Sequence, residues 1–255
     1  MSEARRLLKD YVSQRAEVGE GRVVLDAEPA APVAPGSSRP EPKWMKGAPD
    51  IPPGGLVVPA PPKDLFTADP LANLSLNQIA ARIKECRACG LCEGRQNTVP
   101  GQGAHDARLV LVGEGPGANE DEQGLAFVGR AGQLLTDILT AVELTREQVF
   151  ICNIVKCRPP GNRRPQPLEI AACMPFLHRQ LELIGPAVIL AMGGTAAESL
   201  LGTKAPLNQL RERIHEFRGI PLVVTYHPAA LLRNPNWKKP TWDDVRIARR
   251  LLDAR

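Results

Sequence analysis

Four short segments of this chain are almost continuously apolar, and helical stretches separate them. They are ARLVLVGE at 107–114, VFICNIVK at 149–156, AVILAMG at 187–193 and PLVVTYH at 221–227. A strand with one wet face alternates polar and apolar residues, whereas a strand without alternation is buried on both faces. The helical stretches are LSLNQIAARIKEC before the first strand, then GRAGQLLTDILTAV, PLEIAACMPFLHRQLELI, TAAESLL and the final TWDDVRIARRLLD. This pattern predicts an α/β fold, a three-layer αβα sandwich around a central, mainly parallel four-stranded sheet. Ligands of such sheets bind beyond the carboxyl ends of the strands. Three conspicuous segments fall at those ends: GEGPG after the first strand, NIVKCRPPGN after the second and HPAALLRNP after the last. They predict one site built from three loops.

The amino-terminal region has a different character. Residues 1–15 carry Leu7, Leu8, Tyr11 and Val12 at helical spacing among charges, predicting a short amphipathic helix that could dock a protein partner. The stretch from Glu28 to Pro70 holds twelve of the 25 prolines and little apolar periodicity, so it reads as a disordered linker. The expected organisation is an extension over 1–72 and one folded domain over 73–255. No apolar run is long enough to span a membrane. The charged start MSEARRLLKDYVSQR lacks the apolar core of a signal peptide, which points to a cytosolic protein. The net charge of +4 permits a polyanionic partner without demanding one.

In a reducing compartment six cysteines are better suited to metal ligation than to disulfides. Cys86 and Cys89 form a C-x-x-C pair, with Cys92 three residues on; Cys157 and Cys173 lie downstream. Cys152 falls on a strand and reads as a small core residue. Four thiolates suit zinc or an iron–sulfur cluster. Zinc ribbons usually carry two tight pairs; here fifteen residues split the second pair, which weakens the zinc case without removing it.

A glycine-rich turn after a first strand often cradles phosphate. GEGPGANEDEQG departs from that pattern: Glu114, Glu120 and Asp121 would repel a pyrophosphate, and no Walker lysine follows. Instead, GEGPGANEDEQGLAFVGRAGQLL, NIVKCRPPGNRRP and YHPAALLRNP, with the early C-x-x-C, closely resemble the family 4 uracil-DNA glycosylases. The resemblance runs from about Leu74 to Leu252. It implies a base excision repair enzyme that hydrolyses the N-glycosidic bond of deoxyuridine in single- and double-stranded DNA, leaving an abasic site. It also implies a [4Fe–4S] cluster on Cys86, Cys89, Cys157 and Cys173, with Cys92 and Cys152 spare.

By the same resemblance Asn153 reads the base, Phe127 stacks on it, and His227 stabilises the departing anion. Glu114 and Gly115 line the pocket, and Glu120 fills the space a thymine methyl would occupy. Gly115 stands where other branches of the superfamily carry a water-activating side chain, so no general base is assigned. Leu231 is the candidate wedge into the vacated stack. Arg233 holds a flanking phosphate, aided by Arg158, Arg163, Arg164 and possible contacts from Lys238 and Lys239. RERIH at 211–215 is similar to the histidine-bearing loop of a branch that becomes covalently attached to DNA. It lies at a different place in the chain, and ordinary turnover by a monomer is expected. The rival readings are a non-catalytic iron–sulfur DNA-binding or electron-transfer protein and a flavodoxin-like nucleotide binder.

Overall fold

A computed structural model describes residues 41–61 and 70–255. The expected amphipathic helix over 1–15 lies outside the described residues. The strands are β1 (Gly54–Val58), β2 (Gln102–Gly103), β3 (Leu109–Gly113), β4 (Phe150–Asn153), β5 (Val188–Met192), β6 (Ile214–Phe217) and β7 (Ile220–Thr225). The α-helices are α1 (Leu76–Lys84), α2 (Leu91–Gly94), α3 (Ala118–Gln123), α4 (Arg130–Ala141) and α5 (Pro167–Ile184). They are followed by α6 (Gly194–Leu201), α7 (Leu207–Leu210), α8 (Pro228–Arg233) and α9 (Lys238–Asp253). Among the described residues no helix is long and apolar enough to cross a membrane.

The sheet has seven strands in the order β1-β6-β7-β5-β3-β4-β2, not the four expected. The four expected strands are its parallel centre, β7-β5-β3-β4. Their alternate residues feed two cores. Val110, Val112, Ile189 and Ala191 pack under α1, α5 and α6, while Leu109, Leu111, Val188 and Leu190 pack under α4 and α9. The three-layer sandwich therefore holds. The three missed strands lie outside the parallel centre, where a strand needs no continuous apolar run. β2 has two residues, and β6 alternates buried and exposed positions within the charged stretch RERIHEFRG.

The third missed strand corrects the expected boundary. β1 lies within the proline-rich stretch and pairs in parallel with β6. Pro52, Pro53 and Pro59 flank the proline-free GGLVV, and an edge strand needs hydrogen bonds on one side only. Trp44, upstream of it, is 2% exposed in the core beneath α9. The folded unit thus begins near Pro42 instead of residue 73. His215 pins the strand. Its Nδ1 accepts from Leu56 N–H at 2.9 Å, and its Nε2 lies 2.7 Å from the Leu210 carbonyl oxygen. A Cβ at Gly55 would lie 2.5 Å from that Nδ1, so only glycine admits the ring. His215→Ala leaves both groups unpaired and is expected to cost about 1–3 kcal/mol. Hydrogen exchange should then rise over residues 54–58; protection equal to the parent would contradict this account of the pinning.

Candidate active site

The parallel strands β7, β5, β3 and β4 all end at one rim, where a cavity of about 400 Å³ opens. From β3 the chain crosses to β4 on one side and later to β5 on the other, so the cavity lies at the point where strand order reverses. Each central strand delivers a lining residue: Glu114 after β3, Asn153 ending β4, Met192 ending β5, and His227 shortly after β7. Gly115, Glu120, Phe127, Arg163 and Arg233 complete much of the wall.

Asn153 is 1% exposed, and its carboxamide oxygen has no hydrogen-bond partner. Such a buried acceptor is costly unless a ligand satisfies it. Gly113 makes room for it: a Cβ there would lie 2.4 Å from Asn153 Oδ1 and 2.7 Å from Phe127 Cζ. Phe127 holds a left-handed backbone conformation (φ 54°), unusual for a bulky residue and characteristic of a constrained site. Gly132 in α4 allows this turn, because a Cβ there would meet the Phe127 carbonyl oxygen at 1.8 Å. The Phe127 ring stacks on His227, with centroids 5.4 Å apart and planes at 29°.

His227 caps α8: its Nδ1 accepts from the Ala229 N–H at 3.2 Å. In the neutral ring the proton is therefore on Nε2, a donor. Burial, aided by the positive Arg233, pushes its pKa down to about 4, against a small opposing effect of Glu120. Glu120 is held by three backbone donors: Gly117 N–H at 3.1 Å, Val128 N–H at 3.0 Å and Gly129 N–H at 3.1 Å. Glu114 accepts from the Thr195 hydroxyl at 2.5 Å.

A second cavity lies on the α1/α5 side of the sheet. Cys86, Cys89, Cys92, Cys157 and Cys173 all line it, together with Arg95, Lys156 and apolar residues. Arg95 donates to Cys157 Sγ at 3.0 Å, and Lys156 N–H to Cys173 Sγ at 3.3 Å. All six cysteines are free thiols. Burial pushes the Cys89 and Cys157 thiols up, and Cys173 up to about 12. Cys152 is buried on β4 and is not among the lining residues, as its strand position predicts. Among the described residues no group of three or more His, Cys, Asp and Glu side chains is drawn together as around a single metal ion. The donor set nevertheless suits an anionic iron–sulfur group. It is all soft thiol, the Arg95 guanidinium donates to one of the thiols, Lys156 is also part of the lining, and no carboxylate lines the wall.

The sequence profile of the uracil DNA glycosylase superfamily matches residues 100–247. The chain belongs to this superfamily. It is 49% identical over 158 residues to the type-4 uracil-DNA glycosylase of Thermotoga maritima, covering 61% of this chain and 82% of that one. The Saccharolobus solfataricus type-4 enzyme is 40% identical over 193 residues, 71% of this chain and 88% of its own. A type-5 uracil-DNA glycosylase from Thermus thermophilus is 31% identical over 153 residues, 51% of this chain and 68% of its own.

For a member of the uracil DNA glycosylase superfamily, the structure brings Glu114, Gly115, Glu120, Phe127, Asn153 and His227 around one cavity, as the motifs imply. The expected wedge needs correction. Leu231 is 1% exposed, on the inner face of α8, whereas the adjacent Leu232 is 41% exposed. A six-residue helix can turn only one of two consecutive leucines outward, and sequence position did not say which. The basic residues are also partly committed. Arg163 pairs with Glu169 at 2.6 Å, Arg164 pairs with Glu198, and Arg158 Nε donates to Asn162 at 2.8 Å. Lys239 pairs with Asp243 at 3.3 Å. The Arg164 and Lys239 pairs are solvated, are worth little and can yield to a phosphate, whereas Arg163 is held bidentately by the buried Glu169. Arg233 is exposed at the cavity rim. Thr195, Met192 and Asn162 were not foreseen. The signal for the first two was topological, since the end of β5 must also open on the site.

Proposed function

We propose that this cavity excises uracil from DNA by hydrolysing the N-glycosidic bond, and that the unpaired carboxamide of Asn153 is its base reader. The deoxyuridine leaves the stack at a cost of a few kcal/mol and enters the cavity. Asn153 Oδ1 accepts from uracil N3–H and its amide donates to O4; cytosine lacks the N3 proton and presents a donor in place of O4. Phe127 stacks on the base, a contact worth about 1–3 kcal/mol. His227 Nε2–H donates to O2 as negative charge develops there. The carboxylate of Glu120, fixed by its three backbone donors, occupies the space a C5 methyl would need. Glu114, held by Thr195, favours the positive charge that develops on the sugar. Arg233 and the rim arginines contact the backbone of either single- or double-stranded DNA without reading sequence.

Leu232 takes the wedge role in place of Leu231. Leu232→Ala should reduce excision from duplex DNA by about 10-fold, because a few kcal/mol of unstacking must be offset there. Single-stranded substrate should be little affected. Leu231→Ala should instead act on folding, costing about 2–5 kcal/mol as a buried truncation. Equal losses on both substrates for Leu232→Ala would contradict the wedge.

Cys86, Cys89, Cys157 and Cys173 are the proposed ligands of a [4Fe–4S] cluster, with Cys92 beside them in the same wall. When bound, the cluster ties α1, the loop after β4 and α5 into one scaffold; it takes no part in the bond-breaking step. Brown protein with stoichiometric iron and sulfide after anaerobic purification supports this assignment, and colourless iron-free protein overturns it. The excision itself is tested by incubating single- and double-stranded oligonucleotides carrying one deoxyuridine and probing for alkali-labile sites. No product from either would defeat the proposal.

A further inference from the structure

The mechanism above leaves one buried charge without a role. Lys156 is 1% exposed and among the largest fully buried side chains. Its ammonium donates to the main-chain oxygen of Asn153 at 2.8 Å. Its own backbone N–H meets Cys173 Sγ at 3.3 Å, and the residue is part of the lining of the thiol cavity. Among the described residues no ion pair includes it. An ammonium carries three donors and tolerates burial only beside a compensating charge. Neutral thiols do not provide one. Four thiolates on an iron–sulfur cluster do.

The segment from Asn153 to Cys157 also joins the two cavities. The uracil reader stands at one end and a cluster ligand at the other, with the Lys156 side chain folded back between them. We infer that Lys156 is the fixed counter-charge of the thiol pocket and the positioning residue that ties that pocket to Asn153. This rests on the cluster reading given above. The backbone here has other anchors: Ile154 N–H to Gly113 O at 2.9 Å, Val155 N–H to Glu114 O at 3.1 Å, and Val99 N–H to Lys156 O at 2.8 Å. Removing the ammonium therefore leaves the strand end stitched in place while cancelling the charge and the contact to the Asn153 carbonyl.

The test compares Lys156→Met and Lys156→Arg with the parent protein, purified anaerobically. Readouts are iron per chain, iron loss to a chelator, the cluster's reduction potential, and inhibition of excision by free uracil. Outer partners of metal ligands typically contribute about 10–100-fold to retention or activity. Lys156→Met should therefore lose iron at least about 10-fold faster. Its potential should shift to more negative values, and free uracil should inhibit it about 10-fold more weakly. Lys156→Arg should restore iron retention. Should Lys156→Met not accumulate folded, Lys156→Gln removes the charge while keeping an amide donor, and the same iron and potential changes are expected of it. Parent-like iron retention and potential in the neutral variant would overturn the counter-charge. A changed cluster with unchanged uracil inhibition would overturn the tie to Asn153. Iron-bearing parent with an indifferent variant defeats this inference alone, whereas iron-free parent defeats the cluster reading and this inference with it.

Discussion

Asn153→Ala is expected to lower kcat/KM for uracil excision by roughly 10²–10³-fold while leaving the protein no less stable. The two halves of that expectation come from one observation. The Asn153 carboxamide oxygen is buried and unpaired in the free protein, so folding gains nothing from it. An unsatisfied buried acceptor is a cost, and deleting it is neutral or favourable to stability. In the proposed binding mode the same group accepts from N3–H and donates to O4, and the donation to O4 strengthens as the base departs with negative charge. The loss should fall on the chemical step as well as on binding, which single-turnover rates separate from KM. A thermal melt of the same variant supplies the second half. A clear fall in Tm with only a small loss of rate would mean that Asn153 is structural and that the cavity's reader lies elsewhere.

His227→Asn should lower the rate by about 10²-fold and leave α8 intact, since asparagine is itself a strong helix cap. The parent protein's pH profile carries the more specific expectation. With its pKa down at about 4, the His227 ring is neutral through the physiological range and donates from Nε2. The rate should therefore show no limb near the ordinary histidine value of 6.5, and should fall only as pH approaches 4. Stability follows the same sign. Between pH 6.5 and about 4 the unfolded chain holds the proton and the folded one does not, so stability falls as the solution is acidified through that window. His178, pushed down to about 4 by burial and the neighbouring Arg218, adds a second proton to the same slope. The Asn variant should lose about half of it. A rate that titrates at pH 6.5 in the parent would show that the charged imidazolium is the working form.

The sheet's centre was legible because burial on both faces removes alternation, and the four apolar segments carry that signature. The edges were not, and each for its own reason. β1 is five residues hidden among prolines, and its placement depends on His215, which lies 159 positions away from Leu56. β6 is charged and half exposed. The sequence of the RERIH stretch gives no sign of its part in the sheet. In the fold it is structural: Arg211 forms a buried pair with Asp244 at 2.7 Å, and His215 holds β1.

The site was more legible than the fold's rim, since its residues sit in three contiguous motifs at predictable strand ends. Thr195 and Lys156 escaped because they act on other residues' side chains or carbonyls, and such relations exist only once the chain is folded. Leu231 and Leu232 show a finer limit. The motif puts two leucines side by side, and the helix phase that buries Leu231 and exposes Leu232 is set by packing.

The cavity beyond β3, β4, β5 and β7 is expected to release uracil, read by Asn153. The most direct test is the amount of free uracil liberated from a single-deoxyuridine oligonucleotide by the parent and by Asn153→Ala at equal concentration. The account predicts free uracil in step with abasic sites for the parent, and release at least roughly 10²-fold slower for the variant. No uracil from the parent, or equal release by both proteins, would contradict it.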